Sequence, residues 1–292
     1  MLGSVKSFPI QKDFVPRGKA VRKSLTVVVA VYNAVRYLEF VLTALLRQSM
    51  RDFEVVVADD GSGPEITKVI ENTIPLASFP VKHLWQPDEG FRKNAILNKA
   101  IEASETDYLV FIDGDCIPHH KFVQDHWTHR ESRGVLCGRR VLLSKSFSDR
   151  LRLEDVYSGR YEKFTPQRLL DGLTSRSSHL EEAIRIESPL LRKILRRKHV
   201  QIVGCNFSLK KNFLEDINGF NQDYTAPGLG EDSDVAHRLQ LIGVRLIDLR
   251  HLAILYHLYH PHTTEGEENR LLYVATLGSR DPVCRNGIRK LR

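Results

Sequence analysis

Short apolar runs alternate with segments of helical periodicity over residues 24–112. Leu25–Val31 is a continuous run rich in β-branched residues, which is typical of a strand buried on both faces. In the next segment apolar residues recur every three or four positions, which predicts an amphipathic helix. The same reading predicts strands over 53–58, 81–85 and 108–112, and helices from residue 65 and over 91–103. Strands alternating with helices predict an α/β fold with a mostly parallel sheet.

Polar residues follow three of the predicted strands, at the points where the apolar runs end. In a parallel sheet the carboxyl ends of the strands lie at one edge, and ligands bind there. The sequence therefore predicts that these side chains belong to one site. They are Asn33, Asp59, Asp60, Asp113 and Asp115.

The segment Asp113-Gly114-Asp115 closes the most informative of these runs. Alternation in an extended chain points both carboxylates the same way, so both can face one divalent cation or one diphosphate. A solvated turn is the alternative for this triplet, because two aspartates one residue apart are common by chance. The strand that precedes it favours the metal or diphosphate site.

The pattern changes in the second half of the chain. Residues from about 143 to 199 are charged and helix-prone, which predicts a helical insertion. Strand-like runs return over 201–209, 244–249 and 253–256. A glycine-rich loop with an acidic end precedes a helix predicted over 233–241.

Composition limits the classes of protein that fit. The chain has 292 residues, of which 42% are hydrophobic, and this suffices for one large α/β domain or two small ones. Its apolar runs are too short to span a bilayer, and its first 23 residues lack the apolar segment of a secretory signal, so we expect a cytoplasmic protein. Four scattered cysteines without a C-x-x-C pair predict reduced thiols, not a disulfide framework or a zinc site.

The formal charge of +7 favours an anionic partner such as a nucleotide, a nucleic acid or an acidic lipid. Part of the excess lies in Arg192–Lys198, where five of seven residues are basic. This run is either a solvated helix face or a contact with an anionic membrane surface. In the second case each basic residue would contribute about 1 kcal/mol.

Several short blocks, in this order, resemble family-2 glycosyltransferases with the GT-A fold: TVVVAVYN (26–33), VVVADDGS (55–62), GFRKNAILN (90–98) and LVFIDGD (109–115). Three later blocks, VGCNFSL (203–209), GFN (219–221) and GLGEDSDVAHRL (228–239), are similar to the galactosyltransferase-like C-terminal module of chondroitin-polymerase-type and β-1,4-galactosyltransferase-type enzymes. The resemblance covers about residues 24–261 and leaves out the segment 144–199.

The resemblance implies a GT-A fold, in which a mostly parallel sheet is flanked by helices and the first half is a Rossmann-like nucleotide-binding unit. It also suggests a division of the chain into five parts. These are a basic N-terminal extension (1–23), a nucleotide-sugar-binding half (24–142), a basic helical insertion (143–200), an acceptor-binding and catalytic half (201–269) and a C-terminal tail (270–292).

Three residues of the first half correspond to the nucleoside-binding positions of the family. The resemblance assigns the pyrimidine base of the donor to Asp60, with Asp59 beside it, and it stacks Tyr32 near that base. The alternatives are a turn capped by the aspartates, which the following Gly-Ser would favour, and a core aromatic at Tyr32.

The diphosphate and the metal correspond to a second group of residues. Arg92 and Lys93 open a helix, and their charges together with the helix N-terminus could neutralise a diphosphate, unless they form a plain charged first turn. By resemblance Asp115 would ligate Mn²⁺ or Mg²⁺, and Asp113 would contact the ribose or the water shell of the metal. Both ions accept oxygen ligands, so the residues alone leave the choice open.

The acceptor side depends on the later blocks. The resemblance places the catalytic base on Asp232 and an acceptor hydroxyl on Glu231, where a capped acidic first turn is the structural alternative. A late histidine of the family binds the metal; His257 is the first choice and His260 its competitor, although both could be solvated loop residues. Leu229 stands where an acceptor-binding tryptophan often occurs, so the acceptor stays undefined.

These residues predict a metal-dependent inverting glycosyltransferase. The expected donor is a nucleotide-diphosphate sugar, with UDP as the expected nucleotide, and the acceptor is a glycan or lipid-linked glycan of surface polysaccharide or lipopolysaccharide synthesis. An anionic membrane surface on the inner face of the cell membrane is a further expected contact, and nucleic acid is not an expected partner. The alternatives are a sugar-phosphate nucleotidyltransferase, which should carry a glycine-rich loop after the first strand, and an inactive polyanion-binding scaffold.

Overall fold

A computed structural model describes residues 23–163, 179–195, 199–261 and 266–291. Its strands form a seven-stranded main sheet and a three-stranded small sheet. In chain order, β1 to β10 are Leu25–Val31, Phe53–Asp59, Val81–Trp85, Tyr108–Asp113, Cys116–Pro118, Gly134–Cys137, Val141–Leu142, Phe207–Lys210, Arg245–Asp248 and Leu255–His257.

Helices of the described ranges cover both faces of the main sheet. In chain order, α1 to α10 are Val35–Leu45, Pro64–Thr73, Lys93–Ala103, Phe122–Thr128, Lys145–Arg150, Leu153–Tyr157, Pro189–Leu195, Lys211–Asp216, Glu231–Leu241 and Glu267–Gly278. Single turns of 3₁₀ helix lie at Ile74–Leu76, Arg160–Glu162 and Leu180–Ala183.

The main sheet has the strand order β3-β2-β1-β4-β8-β6-β9. All neighbouring strands are parallel except β8, which runs antiparallel to both β4 and β6. Alternate residues of β1 serve two cores: Val27 and Val29 pack with α1 and α2, whereas Val28 and Ala30 pack with α3. The predicted α/β class, with a mostly parallel sheet flanked by helices, is therefore confirmed.

The small sheet has the order β5-β10-β7, and it adjoins the end of β4. Only two residues separate β4 from β5, so the chain passes directly from the main sheet into the small one through Gly114 and Asp115. In the antiparallel pair β5–β10, His257 lies opposite Cys116. This register brings the late histidines next to the aspartate that precedes β5.

Several elements differ from the predicted ones. The strand predicted to begin at residue 201 begins at Phe207, because a turn closed by a hydrogen bond of 2.7 Å from Asn206 N to Val203 O comes first. Helix α9 begins at Glu231, two residues before its predicted start. Helix α10 was not predicted; it crosses the proposed boundary at residues 269–270, and it buries Asn269 while it leaves Leu271, Val274 and Leu277 exposed.

The helix-rich character of the predicted insertion is seen in α5, α6, α7 and two 3₁₀ turns. Of the basic run, Arg192 and Lys193 lie on α7, whereas Arg196, Arg197 and Lys198 lie outside the described residues, as does the N-terminal extension up to residue 22. The proposed division into five parts stays a prediction. Across the described ranges, each helix is either too short or too polar to cross a bilayer.

Candidate active site

A cavity of about 410 Å³ opens at the edge of the main sheet where β1, β2 and β4 end. At this edge the segment after β4 lies close to β1, because Gly114 N donates a hydrogen bond of 2.7 Å to the carbonyl oxygen of Ala30. A Cβ atom at Gly114 would lie 3.0 Å from Val31 Cβ, so glycine keeps Asp113 and Asp115 against the neighbouring strand. The polar side chains that line the cavity are Tyr32, Asp60, Lys93, Asp113, Asp115 and His260.

Asp60 forms one wall of this cavity, and its carboxylate is held from two sides. Its Oδ1 accepts a hydrogen bond of 2.6 Å from Gln86 Nε2, and its Oδ2 accepts one of 2.9 Å from Arg92 N. Burial raises the pKa of the Asp60 carboxyl despite these donors. The Asp60 carboxylate is therefore held in a fixed position at the end of β2. The sequence predicted that this carboxylate contacts the donor base.

Asp59 differs from the sequence prediction, because its side chain points into the protein. Its Oδ1 accepts a hydrogen bond of 2.8 Å from Ser62 N, and its Oδ2 lies 3.0 Å from His83 Nε2. Burial opposes the charge, but His83 and Ser62 lower the pKa of Asp59 overall. Successive side chains of a strand point to opposite faces, so only one aspartate of the pair can line the cavity. Asp59 therefore shapes the turn after β2.

Tyr32 is not a core aromatic, since half of its surface is exposed (51%) at the mouth of the cavity. Its hydroxyl donates a hydrogen bond of 2.8 Å to Asp88 Oδ2, which is the main reason that its pKa is raised. The turn after β2 contacts the same aspartate closely: a Cβ atom at Gly61, where φ is +95°, would lie 2.6 Å from Asp88 Cα. The hydrogen bond to Asp88 thus fixes the ring at the mouth of the cavity.

Lys93, not Arg92, supplies the positive charge inside the site. Lys93 Nζ lies 2.8 Å from Asp113 Oδ1 and 3.7 Å from Glu231 Oε2. The Arg92 guanidinium turns outward to Glu89 and only its backbone N–H serves the cavity, because Arg92 precedes the first turn of α3. Burial opposes the charge of Lys93, yet Asp113 and Glu231 raise its pKa, whereas burial raises the pKa of Glu231 to about 7.

Asp115, His257 and His260 lie together at the junction of the two sheets. Asp115 Oδ2 is 3.7 Å from His257 Nε2 and 3.2 Å from His260 Nε2. Burial would raise the pKa of Asp115, but the hydrogen bond from His260 lowers it to about 2, while burial lowers the pKa of His257. The bond to Asp115 raises the pKa of His260 to about 9. Ligand atoms of Asp115, Cys116 and His257 lie within 4.8 Å of one another, a spacing that could hold a divalent transition-metal ion, with His260 beside them.

Asp232 lines a second, larger cleft of about 1000 Å³ on the other side of Asp113 and Asp115. Its Oδ2 accepts a hydrogen bond of 2.8 Å from Gly204 N, and its Oδ1 accepts one of 3.3 Å from Ser233 Oγ. Asp232 occupies the first turn of α9, where the helix N-terminus favours negative charge. The turn before it needs glycine, because Gly230 has φ +110° and its Cβ would lie 2.1 Å from Tyr224 Cε1.

The neighbouring Asp234 has a structural role. It is buried with Arg238, whose Nε donates to Asp234 Oδ2 at 2.8 Å and whose Nη atoms donate to the carbonyl oxygens of Ile217 and Gly219 at 2.7 and 2.9 Å. This ion pair fixes α9 against the turn that follows α8. Only Glu231 and Asp232 of the acidic cluster line the cleft.

The two cavities share a wall that contains Lys93, Asp113, Asp115 and His260. The structure thus brings together most of the residues predicted for the site, from both halves of the chain. Sequence reasoning missed Gln86, which holds Asp60, and the pair Arg139-Arg140, which lines the larger cleft. The pair follows β6, a strand of four residues that was too short to be detected.

A mostly parallel sheet with carboxylates at the ends of β2 and β4 is the architecture of GT-A glycosyltransferases, and solved structures with this fold resemble the chain. The chain belongs to glycosyl transferase family 2, whose family model matches residues 26–214. A second model, described as the N-terminal domain of galactosyltransferase, matches residues 193–261. The resemblance deduced from the sequence blocks is confirmed.

Curated relatives cover most of this chain but are themselves longer. Chondroitin synthase of Escherichia coli is 24% identical over 264 residues, which are 88% of this chain and 38% of the relative. Chondroitin synthase of Pasteurella multocida (strain Pm70) is 26% identical over 84% of this chain and 26% of the relative. Validoxylamine A glucosyltransferase of Streptomyces hygroscopicus subsp. jinggangensis is 26% identical over 75% and 52%. The chain therefore spans about a quarter to a half of these relatives.

Two solved structures are similar in fold. Staphylococcus aureus TarS 1–349 in complex with UDP has a TM-score of 0.57 and 17% sequence identity, with 88% of this chain and 65% of that chain covered. The mannosyltransferase PcManGT from Pyrobaculum calidifontis, in complex with GDP-Man and Mn²⁺, has a TM-score of 0.54 and 18% identity, with 83% and 59% covered. At these identities the likeness establishes the shared fold.

Proposed function

We propose that the chain is a metal-dependent inverting glycosyltransferase that moves a sugar from a UDP-sugar to a glycan hydroxyl in surface polysaccharide or lipopolysaccharide synthesis. The observation that carries this proposal is the wall shared by the two cavities. Asp60 and Tyr32 lie on one side of Asp113 and Asp115, and Asp232 lies on the other. A donor in the smaller cavity and an acceptor in the larger cleft would meet at this wall.

The donor would enter the smaller cavity with its base against Asp60 and Tyr32. Lys93 would lie beside the diphosphate, and Asp115, His257 and His260 would hold the metal ion, with Asp113 next to it. Of the two ions predicted, Mn²⁺ suits a site with imidazole donors better than Mg²⁺, which prefers oxygen ligands. When bound, the metal ion stabilises the charge that builds up on the departing diphosphate.

Asp232 would act as the general base. As the acceptor oxygen bonds to the anomeric carbon, the bond from that carbon to the diphosphate oxygen breaks, and the hydroxyl proton passes to an Asp232 oxygen. One displacement inverts the anomeric centre without a covalent intermediate. Gly204 N donates a hydrogen bond of 2.8 Å to one oxygen of Asp232, and this bond orients the carboxylate in the cleft. Base assistance of this kind accelerates a reaction roughly 10²- to 10⁴-fold. Glu231, beside it, would accept a hydrogen bond from the acceptor.

Two features favour this function over the alternatives. A sugar-phosphate nucleotidyltransferase should have a glycine-rich phosphate loop after the first strand, and residues 32–35 contain no glycine. An inactive scaffold has no need of a half-buried lysine held between Asp113 and Glu231. Family membership and the two chondroitin synthases among the relatives support polysaccharide synthesis.

Part of the protein would contact the membrane that carries a lipid-linked acceptor. Helix α7 presents Leu190, Leu191, Ile194 and Leu195 to solvent, with exposed fractions of 47 to 69%. These positions share one face of the helix, and Lys193 lies on another. An apolar face with basic residues beside it is suited to the surface of an anionic bilayer. We therefore propose a cytoplasmic protein that is peripheral on the inner face of the cell membrane.

The proposed activity can be tested with a panel of nucleotide sugars. We expect Mn²⁺-dependent release of UDP from one UDP-sugar, and a donor at 100 times its Kd should raise the free energy of unfolding by about 2.7 kcal/mol. Asp149→Asn, which alters an exposed carboxylate paired with Lys145, is the control for Asp113→Asn. Release of pyrophosphate would indicate a nucleotidyltransferase. If neither UDP nor pyrophosphate were released and no nucleotide bound, the inactive scaffold would be the remaining alternative.

A further inference from the structure

Two consecutive arginines, Arg139 and Arg140, line the larger cleft together with Asp232. Their backbone is fixed from the neighbouring strand. Asn206 Nδ2 donates a hydrogen bond of 2.6 Å to the carbonyl oxygen of Arg139, and Gly138 N donates one of 2.9 Å to the carbonyl oxygen of Asn206. The side chain of Asn206 packs so closely that a Cβ atom at Gly138 would lie 2.2 Å from its Oδ1. The positions from which both guanidinium groups extend are thus set by the fold.

Neither arginine has an acidic partner among the residues that the structure describes. Arg140 Nη1 contacts Cys205 Sγ at 3.6 Å, and the Arg139 guanidinium donates no hydrogen bond to any described residue. Both side chains are only half-buried. A guanidinium carries five donors and a permanent charge, so this pair leaves most of its hydrogen-bonding capacity open to the cleft.

Three other half-buried arginines of the described chain are each paired with a carboxylate. Arg47 lies 2.9 Å from Glu162, Arg185 lies 2.7 Å from Asp125, and Arg250 lies 2.8 Å from Glu182. Glu182 also lines the larger cleft, but Arg250 occupies its carboxylate. The cleft therefore offers two unneutralised guanidinium groups on the same surface as the proposed base.

We propose that Arg139 and Arg140 form an anion-binding subsite that recognises a carboxylate or phosphate group of the acceptor. This inference rests on the proposed function, because it takes the larger cleft as the acceptor site. A guanidinium binds either oxyanion through paired hydrogen bonds, so a uronic acid residue and a sugar phosphate present the same chemistry. The acceptor terminus would then carry negative charge next to the hydroxyl that reacts.

Equilibrium binding tests the subsite without turnover. Calorimetry in the presence of UDP and Mn²⁺ would compare three acceptor disaccharides, one with a glucuronic acid residue, its carboxyl-reduced neutral analogue, and the neutral analogue carrying a phosphate monoester. We expect at least one charged disaccharide to bind tenfold or more tightly than the neutral one. The ratio of the two charged forms identifies the source of the anion. Equal binding of all three would overturn the proposal.

Variants that remove the charge of Arg139 or Arg140 test whether these residues cause the tighter binding of a charged disaccharide. Arg139→Gln and Arg140→Gln should each weaken binding of the charged disaccharide at least tenfold and leave the neutral one unchanged. Arg280→Gln removes the same charge from an exposed position outside the cleft and should change neither. Arg139→Lys keeps the charge and should restore part of the affinity, which separates recognition from misfolding. If the variants weakened UDP binding instead, the arginines would serve the donor diphosphate and the acceptor subsite would be wrong.

Turnover separates this proposal from the proposed function. Failure of wild-type protein to release UDP from any donor would contradict the glycosyltransferase, while the binding comparison would still decide the anion subsite. Where turnover is observed, the variants should raise KM for the charged acceptor at least tenfold. KM for the donor and the rate of donor hydrolysis without acceptor should stay unchanged.

Discussion

At the scale of single residues, Lys93 lies between the carboxylates of Asp113 and Glu231 where the two cavities meet. Its Nζ is 2.8 Å from Asp113 and 3.7 Å from Glu231. Burial raises the pKa of Glu231 to about 7, and the nearby Asp113 and Asp232 add to the effect of burial, although Lys93 opposes it. Glu231 therefore titrates near neutral pH.

This pKa predicts a pH dependence of stability that belongs to Glu231. The folded pKa of about 7 lies above the ordinary value of 4.5, so the folded protein retains a proton that the unfolded chain releases. The contribution of Glu231 to stability is most favourable at low pH and is lost as the pH rises from 4.5 through 7. Relative to wild type, Glu231→Gln should gain roughly 2 kcal/mol in free energy of unfolding between pH 5 and pH 8.

Urea denaturation of both proteins at the two pH values would measure this difference. Because other titrating groups are common to both proteins, they cancel in the comparison. Glu215→Gln, at an exposed glutamate outside the cleft, serves as the control and should show no such pH dependence. A gain that is equal at pH 5 and pH 8 would mean that Glu231 is ionised throughout.

Asp115 is the residue on which metal binding should depend. Asp115→Ala removes the carboxylate that both histidines face, at 3.7 and 3.2 Å. We expect the variant to fold but to lose most of the Mn²⁺-dependent part of UDP affinity, together with activity. Calorimetry with UDP, with and without Mn²⁺, measures this. Unchanged metal dependence would exclude Asp115 as a ligand.

Asp232 should be needed for turnover but not for donor binding. Asp232→Asn keeps an oxygen that can accept from Gly204 N, and loss of one negative charge in the first turn of α9 costs only about 0.3–1 kcal/mol, so the variant should fold. It lacks the proton acceptor, so kcat should fall roughly 10²-fold or more. UDP and Mn²⁺ affinity should barely change. Ser233→Ala, at the adjacent position, should retain most activity. A near-normal kcat in Asp232→Asn would mean that Glu231 is the general base, since Asp234 is buried with Arg238.

At the scale of elements, the register of the small sheet brings together the residues that we propose bind the metal. His257 lies opposite Cys116 in the pair β10–β5, and Leu258 N donates 2.9 Å to the carbonyl oxygen of Asp115. Helix α9 supplies Glu231 and Asp232 in its first turn, and Lys93 opens α3. Each functional group thus lies at the beginning or end of an element, where side chains of different elements can converge.

The position of these groups at the ends of elements explains how much of the site the sequence could predict. Long apolar runs identified β1, β2 and β4, and hence the edge at which their aspartates lie. The strands β5, β6 and β7, of two to four residues each, were missed, and with them Arg139 and Arg140, whereas the equally short β8, β9 and β10 lie largely within strand-like runs that were predicted. The choice between Asp59 and Asp60, or between Arg92 and Lys93, depends on where a strand or helix ends to within one residue, which sequence patterns do not resolve.

At the scale of the whole molecule, the two halves of the chain supply different sides of one reaction site. Residues up to Asp115 form the wall of the smaller cavity, apart from Pro227 and His260, whereas most of the larger cleft comes from residues after 138. Lys93 lines both cavities, whereas Arg139 and Arg140 line only the larger cleft. Each cavity therefore has a cationic side chain in its wall, which is the arrangement that a donor diphosphate and an anionic acceptor would need.

The proposed membrane contact rests on two features of the protein, its net charge of +7 and the exposed apolar face of α7. We expect the protein to bind vesicles that contain phosphatidylglycerol more tightly than vesicles of phosphatidylcholine. Binding should weaken as salt rises, because basic residues near anionic lipid are screened. Leu190→Ser combined with Ile194→Ser removes the two most exposed apolar side chains of α7, at 68 and 69%, and should weaken vesicle binding at least tenfold.

Helix α10 provides the matched control for this experiment. Leu271 and Val274 are each 59% exposed there, yet the first turn of α10 is acidic instead of basic. Leu271→Ser combined with Val274→Ser removes a comparable apolar surface and should leave binding to anionic vesicles unchanged, because acidic residues are repelled by that surface. Vesicle sedimentation measures binding, and activity on a soluble acceptor should persist in both double variants. If both variants bound like wild type, or if wild type bound neutral and anionic vesicles equally, α7 would not be the membrane contact.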